Sequence, residues 1–372
     1  MKEFKHFING EYVASASGKT FENRSPVDNS LIGEVHEAGE AEVDAAVRAA
    51  KAALKGPWSK LTQKQRAAML NKIADRINER FDEFLDAECL DTGKPRSMAS
   101  HIDIPRGAAN FKEFAESMSH PTEGFRMETP DGKGAMNVGH RTPKGVVAVV
   151  SPWNLPLLLM TFKVGPALAC GNTVVVKPSE ETPATATLLG EVMNECGVPP
   201  GVFNVVHGFG PDSAGAFLTT HPLVDAITFT GETRTGEVIM KAASVGLRNV
   251  SMECGGKNPG IVFADCDLEK AVEGTMRSAF VNCGQVCLGT ERVYVERSIY
   301  DQFLARMKEE VAKLKLGRPE DPDANFGPLV SLEHRDKVKS YYDLAREEGA
   351  TVEIGGGIPD MGAELNEGAW IE

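Results

Sequence analysis

No stretch of this 372-residue chain stays apolar for the length that a membrane span or a secretory leader requires. The N-terminus, Met1-Lys2-Glu3-Phe4-Lys5-His6, mixes charges with apolar residues instead. Basic charge is also short. Forty Lys and Arg stand against 53 Asp and Glu, a formal net charge of −13, which excludes the electrostatic footprint of a nucleic-acid binder. Seven cysteines, an odd number spread from Cys89 to Cys287, do not make the disulfide framework of a small secreted scaffold, so reduced thiols are expected. No second Cys or His pair stands at zinc-site spacing beside Cys283 and Cys287, and no metal is expected. Internal repeats and low-complexity tracts are lacking, which excludes a solenoid or a disordered array. What remains is a soluble, cytoplasmic protein, 42% apolar and 25% charged, long enough for two domains.

The first third reads as a short strand-like start, Phe7 to Val13, then helices over 42–54, 63–89 and 102–118. Residues 121–141 are polar and weakly alternating, which suggests a protruding hairpin. From Gly145 the texture changes. Short apolar runs at 146–150, 173–176, 202–206 and 226–229 alternate with helical stretches at 183–196 and 213–220, the pattern of strands buried on both faces in a parallel sheet. A second set begins after Gly255-Gly256, with strands at 260–263 and 292–296 and helices at 268–281, 299–314 and 332–348. Two α/β domains meeting near residue 255 are expected.

Five segments carry candidate chemistry. In Asn282-Cys283-Gly284-Gln285-Val286-Cys287-Leu288-Gly289, glycines permit tight turns that expose the Cys287 sulfur and bring amide N–H groups toward a substrate oxygen, although most single cysteines are small core residues. Glu253 stands at the end of a strand ahead of Gly255-Gly256-Lys257, where ligands gather in parallel sheets; it suits a general base, or an ordinary carboxylate paired with Lys257. Phe229-Thr230-Gly231-Glu232-Thr233-Arg234-Thr235-Gly236 takes a strand through a glycine turn into a helix, a setting for a pyrophosphate or simply a packing turn. Lys177-Pro178-Ser179-Glu180 again ends a strand; its Lys and Glu suit a ribose and its acid favours NAD over NADP, while a loop salt bridge is the plainer reading. In Ser151-Pro152-Trp153-Asn154-Leu155-Pro156 an amide between two prolines suits a developing oxyanion, or caps a turn.

Together and in this order, the segments resemble the aldehyde dehydrogenase superfamily. The runs His101 to Asn110, Pro156 to Met160 and Cys287 to Arg292 are similar to its branch acting on hydroxy- or amino-substituted muconic semialdehydes in aromatic-compound breakdown. The resemblance implies an α/β fold with a Rossmann-like NAD-binding domain over 1–121 and 142–254, a small oligomerisation hairpin over 122–141, and a second α/β catalytic domain over 255–372 that is incomplete. It implies Cys287 as nucleophile, Glu253 as base for the deacylating water and Asn154 as oxyanion donor. It also implies NAD contacts from Ser151, Trp153, Lys177, Glu180, Gly231, Thr233 and Gly236. Arg106 is the expected ligand of a substrate carboxylate, with a surface or interdomain salt bridge as the alternative. A small aldehyde substrate and a homodimer or homotetramer are implied as well.

The sequence departs from the family where Cys254 replaces a usual Leu and Cys283 a small or polar residue. The Glu-x-Phe-Gly-Pro segment that grips the nicotinamide ribose is not within the chain, since Asn325-Phe326-Gly327-Pro328 lacks the Glu, and the last strand of the family is also missing. A fragment of a longer enzyme is therefore expected. The competing expectations are a different branch, acting on betaine aldehyde or an aromatic aldehyde, and a catalytically silent NAD-binding chain.

Overall fold

The computed structural model describes residues 2–118 and 124–372. Its main feature is a seven-stranded sheet in the order Asn249–Cys254, Ala226–Gly231, Val146–Val150, Thr173–Lys177, Phe203–Val205, His6–Ile8, Glu11–Val13. The first five strands run parallel and the last two pair antiparallel. Every residue of Val146–Val150 and Thr173–Lys177 is buried, which is why these segments read as unbroken apolar runs. The pleat sends alternate residues to opposite sides. Val147, Val149, Val174 and Val176 join one core with helices Gln63–Glu79, Asp103–Ser117, Pro156–Ala169 and Ala184–Glu195. Val146, Ala148, Val150 and Val175 join another with helices Glu40–Ala53, Ala214–Thr220 and Thr233–Ser244. The sheet is thus covered on both faces, a doubly wound layering.

Strand order fixes where a ligand binds. The chain runs outward from Val146–Val150 through Thr173–Lys177 to Phe203–Val205, then returns to place Ala226–Gly231 on the other side of the starting strand. This reversal is a topological switch point, with its crevice beyond the carboxyl ends of the strands.

Several elements differ from the sequence reading. The start 7–13 is a hairpin whose turn, Asn9-Gly10, has φ of +54° and +87°, values that Asn and Gly tolerate. The helical stretch 63–89 breaks at Arg80, giving Gln63–Glu79 and Phe81–Thr92. There the buried guanidinium turns to Glu83, Glu191 and Glu195, a tertiary demand that periodicity does not reveal. Strands Lys2–Phe4, Thr20–Arg24 and Leu31–His36 form a separate sheet that was too short to register as a pattern.

Beyond residue 255, Asn258–Val262 and Thr290–Val295 pair parallel. Val262 packs with Val272 of helix Leu268–Phe280 and Phe303 of helix Tyr300–Val311, and helix Leu332–Glu347 packs on the cluster of Leu329, Ala369 and Ile371. The end of the chain folds back, and the Trp370 indole donates to the Val27 carbonyl at 2.9 Å. Gly124–Glu128 and Gly134–Val138 form the hairpin, with Phe125, Met127, Met136 and Val138 exposed; residues 122 and 123 of the expected segment lie outside the described residues. Among the described residues no helix is long and apolar enough to cross a membrane.

Candidate active site

Four of the five segments end adjacent parallel strands, and register aligns them. Val150 lies opposite Lys177 on one side and Phe229 on the other, and Thr230 lies opposite Glu253. One residue further on, the turn from Ser151 to Asn154 opens at the switch point. The fifth segment arrives from the second sheet. The Asn154 side chain donates through Nδ2 to the Gln285 carbonyl at 2.8 Å, two residues before Cys287. Asn282 donates to the Asn154 carbonyl at 3.0 Å, so the two loops are laced in both directions.

The cysteine loop is built on unusual backbone. Asn282, Cys283 and Gly284 all have left-handed φ, at +54°, +57° and +73°. Such geometry costs a non-glycine residue about 1 kcal/mol or more and persists only when its surroundings enforce it. Here Asn282 is buried and bonded as above, and the Cys283 thiol donates to the Gly327 carbonyl at 3.2 Å. Burial pushes the Cys283 thiol up to about 12, which leaves it unreactive near neutral pH. Cys287 is half-buried, and its carbonyl accepts from Asn258 Nδ2 at 2.7 Å. Cys89 is also buried and pushed up to about 12. Cys283 and Cys287 are both half-buried; what sets Cys283 apart is its thiol's hydrogen bond to Gly327 and the rise of its pKa.

Glu253 is exposed. Lys257, the partner considered for it, pairs with Glu291 instead. The carboxylate has no hydrogen bond or ion pair among the described residues, but its charge is felt by Lys163. Burial lowers the Lys163 pKa while Glu253 opposes the shift, and the ammonium donates to Thr228 Oγ1 at 3.1 Å.

The segments of Ser151, Lys177 and Gly231 line the strand ends beside the cysteine loop. Lys177 Nζ donates to Glu180 Oε2 at 2.8 Å; burial works to raise Glu180, but Lys177 outweighs it and holds the carboxyl below its usual range. The Ser151 amide donates to the Lys177 carbonyl, while Ser151 Oγ is buried without a partner. Helix Thr233–Ser244 begins without a side-chain cap, leaving its first N–H groups open to an anion. The glycines around it are tightly packed. A Cβ on Gly231 meets the Phe229 ring at 2.6 Å, and one on Gly236 meets Cys254 Sγ at 3.1 Å. Trp153 packs on His334, with ring centroids 4.7 Å apart. An unpartnered hydroxyl, an uncapped helix start and a Lys–Glu pair fit a dinucleotide. Arg106 is exposed on helix Asp103–Ser117, without a hydrogen bond or ion pair from its side chain among the described residues.

Sequence reasoning missed Lys94, Asn258, Lys163, Asn282 and His334. They lie on helices, a strand and loops with no local signal, and only tertiary packing reveals their partners.

Fold and site together define a dinucleotide-binding α/β protein with a cysteine-bearing loop at its switch point, and the chain belongs to the aldehyde dehydrogenase family, whose profile matches residues 12–372. It is 69% identical to a 2-hydroxymuconic semialdehyde dehydrogenase of Pseudomonas sp. (strain CF600), over all of this chain and 77% of the relative. It is 55% identical to a 2-aminomuconic 6-semialdehyde dehydrogenase of Pseudomonas sp., over all of this chain and 76% of that one. Among solved structures, the NAD+ complex of an aldehyde dehydrogenase from Bacillus cereus superposes with a TM-score of 0.93 at 37% identity, covering all of this chain and 74% of that one.

Proposed function

We propose that this chain oxidises a carboxylate-bearing semialdehyde of the 2-hydroxymuconic type to the acid, with NAD as hydride acceptor, in the cytoplasmic breakdown of aromatic compounds. The observation that carries the reading is the Asn154–Gln285 hydrogen bond. It joins the switch-point turn to the loop of Cys287, while Glu253 ends a strand of the same sheet edge.

Cys287 attacks the aldehyde carbon as thiolate, forming a C–S bond and a tetrahedral oxyanion. Asn154 has two N–H groups on Nδ2. Gln285 holds one, which fixes the amide, and the other is left to the oxyanion together with the Cys287 backbone N–H. NAD, when held there, would supply the hydride acceptor, so that loss of hydride from that carbon leaves a thioester on Cys287. Ser151, Trp153, Lys177, Glu180, Gly231, Thr233 and Gly236 hold the dinucleotide. Glu253, exposed and unpaired, removes a proton from the water that cleaves the thioester, releasing the carboxylic acid and regenerating the thiol. Arg106 has no competing carboxylate and takes the distal carboxylate of the substrate in a bidentate pair.

The reading divides the chain into NAD-binding residues 1–121 and 142–254 and a catalytic unit over 255–372. The four exposed apolar side chains of the hairpin support an oligomerising role for residues 122–141 in a homodimer or homotetramer.

Two variants test the proposal. Cys287→Ala is expected to abolish NADH formation while leaving NAD affinity within about twofold, because the thiol acts only in the chemical steps. Arg106→Leu is expected to raise KM for 2-hydroxymuconic semialdehyde at least about tenfold and leave benzaldehyde unaffected, the loss of one bidentate pair. Turnover by the first variant refutes the mechanism; equal effects on both aldehydes refute the carboxylate assignment.

A further inference from the structure

Beneath the Asn154 turn lies an ionic cluster that the chemistry above does not use. Glu88 on helix Phe81–Thr92 and Asp103 at the start of helix Asp103–Ser117 are fully buried, and Lys94 between them is 3% exposed. Lys94 Nζ donates to Asp103 Oδ2 at 3.2 Å and stands 3.8 Å from Glu88 Oε1. Two contacts leave the cluster, and both end on the same turn. Lys94 Nζ donates to the Asn154 carbonyl at 2.9 Å, and Glu88 Oε2 accepts from the Leu157 amide at 3.2 Å.

That turn needs outside help. Helix Pro156–Ala169 starts from Leu155, at φ −141° and ψ 68°, with no side-chain cap of its own. Glu88 therefore satisfies an amide that local sequence leaves open. Lys94 shares the Asn154 carbonyl with Asn282, so the residue that faces the cysteine loop is held by its backbone from below and by its side chain from the front.

Stability does not account for the cluster. Glu88 Oε1 and Asp103 Oδ1 are buried without a hydrogen-bond partner, and each such group costs folding free energy. Buried ion clusters are often no more stable than apolar replacements of the same volume. What this one delivers is the placement of two backbone groups three residues apart.

We infer that Lys94 and Glu88 are positioning residues for the Asn154 amide, setting the oxyanion donor against the cysteine loop through the Asn154 carbonyl and the Leu157 N–H. The inference rests on the oxyanion role proposed for Asn154. A small displacement matters in such a site, since misplacing a reacting group by about 1 Å costs on the order of 10²-fold in rate.

A four-chain cycle tests it: wild type, Lys94→Met, Asn154→Ala and the double variant, each assayed for kcat, NAD affinity and the alkylation rate of Cys287 by iodoacetamide. Removing one oxyanion donor is expected to cost roughly 10²–10³ in kcat for Asn154→Ala. Lys94→Met is expected to lose about 10–100-fold in kcat with NAD affinity and alkylation nearly unchanged, and to lose less than about threefold in the Asn154→Ala background, where nothing is left to position. Equal losses in both backgrounds overturn the positioning role of Lys94. An Asn154→Ala chain with wild-type kcat overturns the reading of Asn154 instead. Should Lys94→Met fail to fold by circular dichroism, the neutral pair Lys94→Met with Asp103→Leu removes both charges at once and enters the same cycle. Glu88→Gln keeps an acceptor for Leu157 and is expected to retain kcat within about threefold, whereas Glu88→Leu loses at least about tenfold. Equal effects of these two substitutions overturn the part assigned to Glu88.

Discussion

Replacing His207 by Leu is expected to make the protein markedly less sensitive to acid. His207 follows strand Phe203–Val205 and is 1% exposed, stacked on His6 with ring centroids 6.0 Å apart. Neither of its ring nitrogens makes a hydrogen bond of normal geometry, although a contact with the Lys5 backbone favours its charged form. His6 accepts the His207 backbone N–H at Nδ1, and its other nitrogen is also unpartnered. Burial, reinforced by the neighbouring His6, pushes His207 down to about 3; burial pushes His6 down to about 4 against the pull of Glu42. Both native values lie below the ordinary 6.5, so the unfolded chain binds more protons as the pH drops. Stability is fully present above about pH 6.5 and is lost on going down.

For His207 alone, going from pH 7.5 to pH 5 removes about 2 kcal/mol of unfolding free energy by linkage between a pKa of 6.5 and one of about 3. Buried acids push the other way. Burial raises Glu88 to about 8 and both Asp91 and Glu181 to about 7, and these groups lend stability at low pH that disappears as the pH rises past 4 toward those values. The wild-type curve is therefore composite, and the informative quantity is a difference. Because burial dominates the shift and a contact with the Lys5 backbone opposes it only in part, His207→Leu removes the titration and adds a packing change that does not depend on pH. Urea unfolding of both chains at pH 7.5, 6.5, 5.5 and 5.0 is expected to show the variant gaining about 2 kcal/mol on the wild type across that range. Parallel pH profiles for the two chains would falsify the linkage argument.

Two further outcomes follow from the site's packing. Cys283→Ser is expected to leave NADH formation and Cys287 alkylation within about threefold of wild type, since burial keeps the Cys283 thiol protonated; peptide mapping of iodoacetamide adducts at pH 8 checks this by showing label on Cys287 and none on Cys283. Gly107→Ala puts a Cβ 2.7 Å from Leu157 Cγ, next to the turn that carries Asn154. It is expected to lower stability by about 1–3 kcal/mol and to reduce kcat, as read by urea midpoints and steady-state assay, and an unchanged midpoint counts against this packing.

The strand-end placement of the candidate site residues was legible in the sequence because strand-end position is a local property. Asn154, Lys177, Gly231 and Glu253 each follow an apolar run closely enough to be read as the polar residue at its carboxyl end, and strands buried on both faces announce themselves without any partner being known. Tight packing at a glycine is local in the same sense: Gly231 is hemmed in by Phe229, two residues away. The break at Arg80 was not legible, since Glu191 and Glu195, which hold the guanidinium, lie more than 100 residues further along.

The sequence by itself determined the alternation of strand and helix, the identity of the groups at the strand ends, and the absence of a membrane-spanning helix among the described residues. Only the tertiary structure decided which cysteine thiol is held by a hydrogen bond, which carboxylate is unpaired and which charges are buried. Cys283 and Cys287 are both half-buried, yet the thiol of the first is engaged by the Gly327 carbonyl, more than 40 residues further along. Lys94 and Lys257 both follow glycine, yet one is buried beneath the Asn154 turn and the other pairs with Glu291 at the surface. The physical reason is range: backbone propensity and periodicity act over a few residues, whereas desolvation and charge pairing depend on groups that folding brings together from distant parts of the chain.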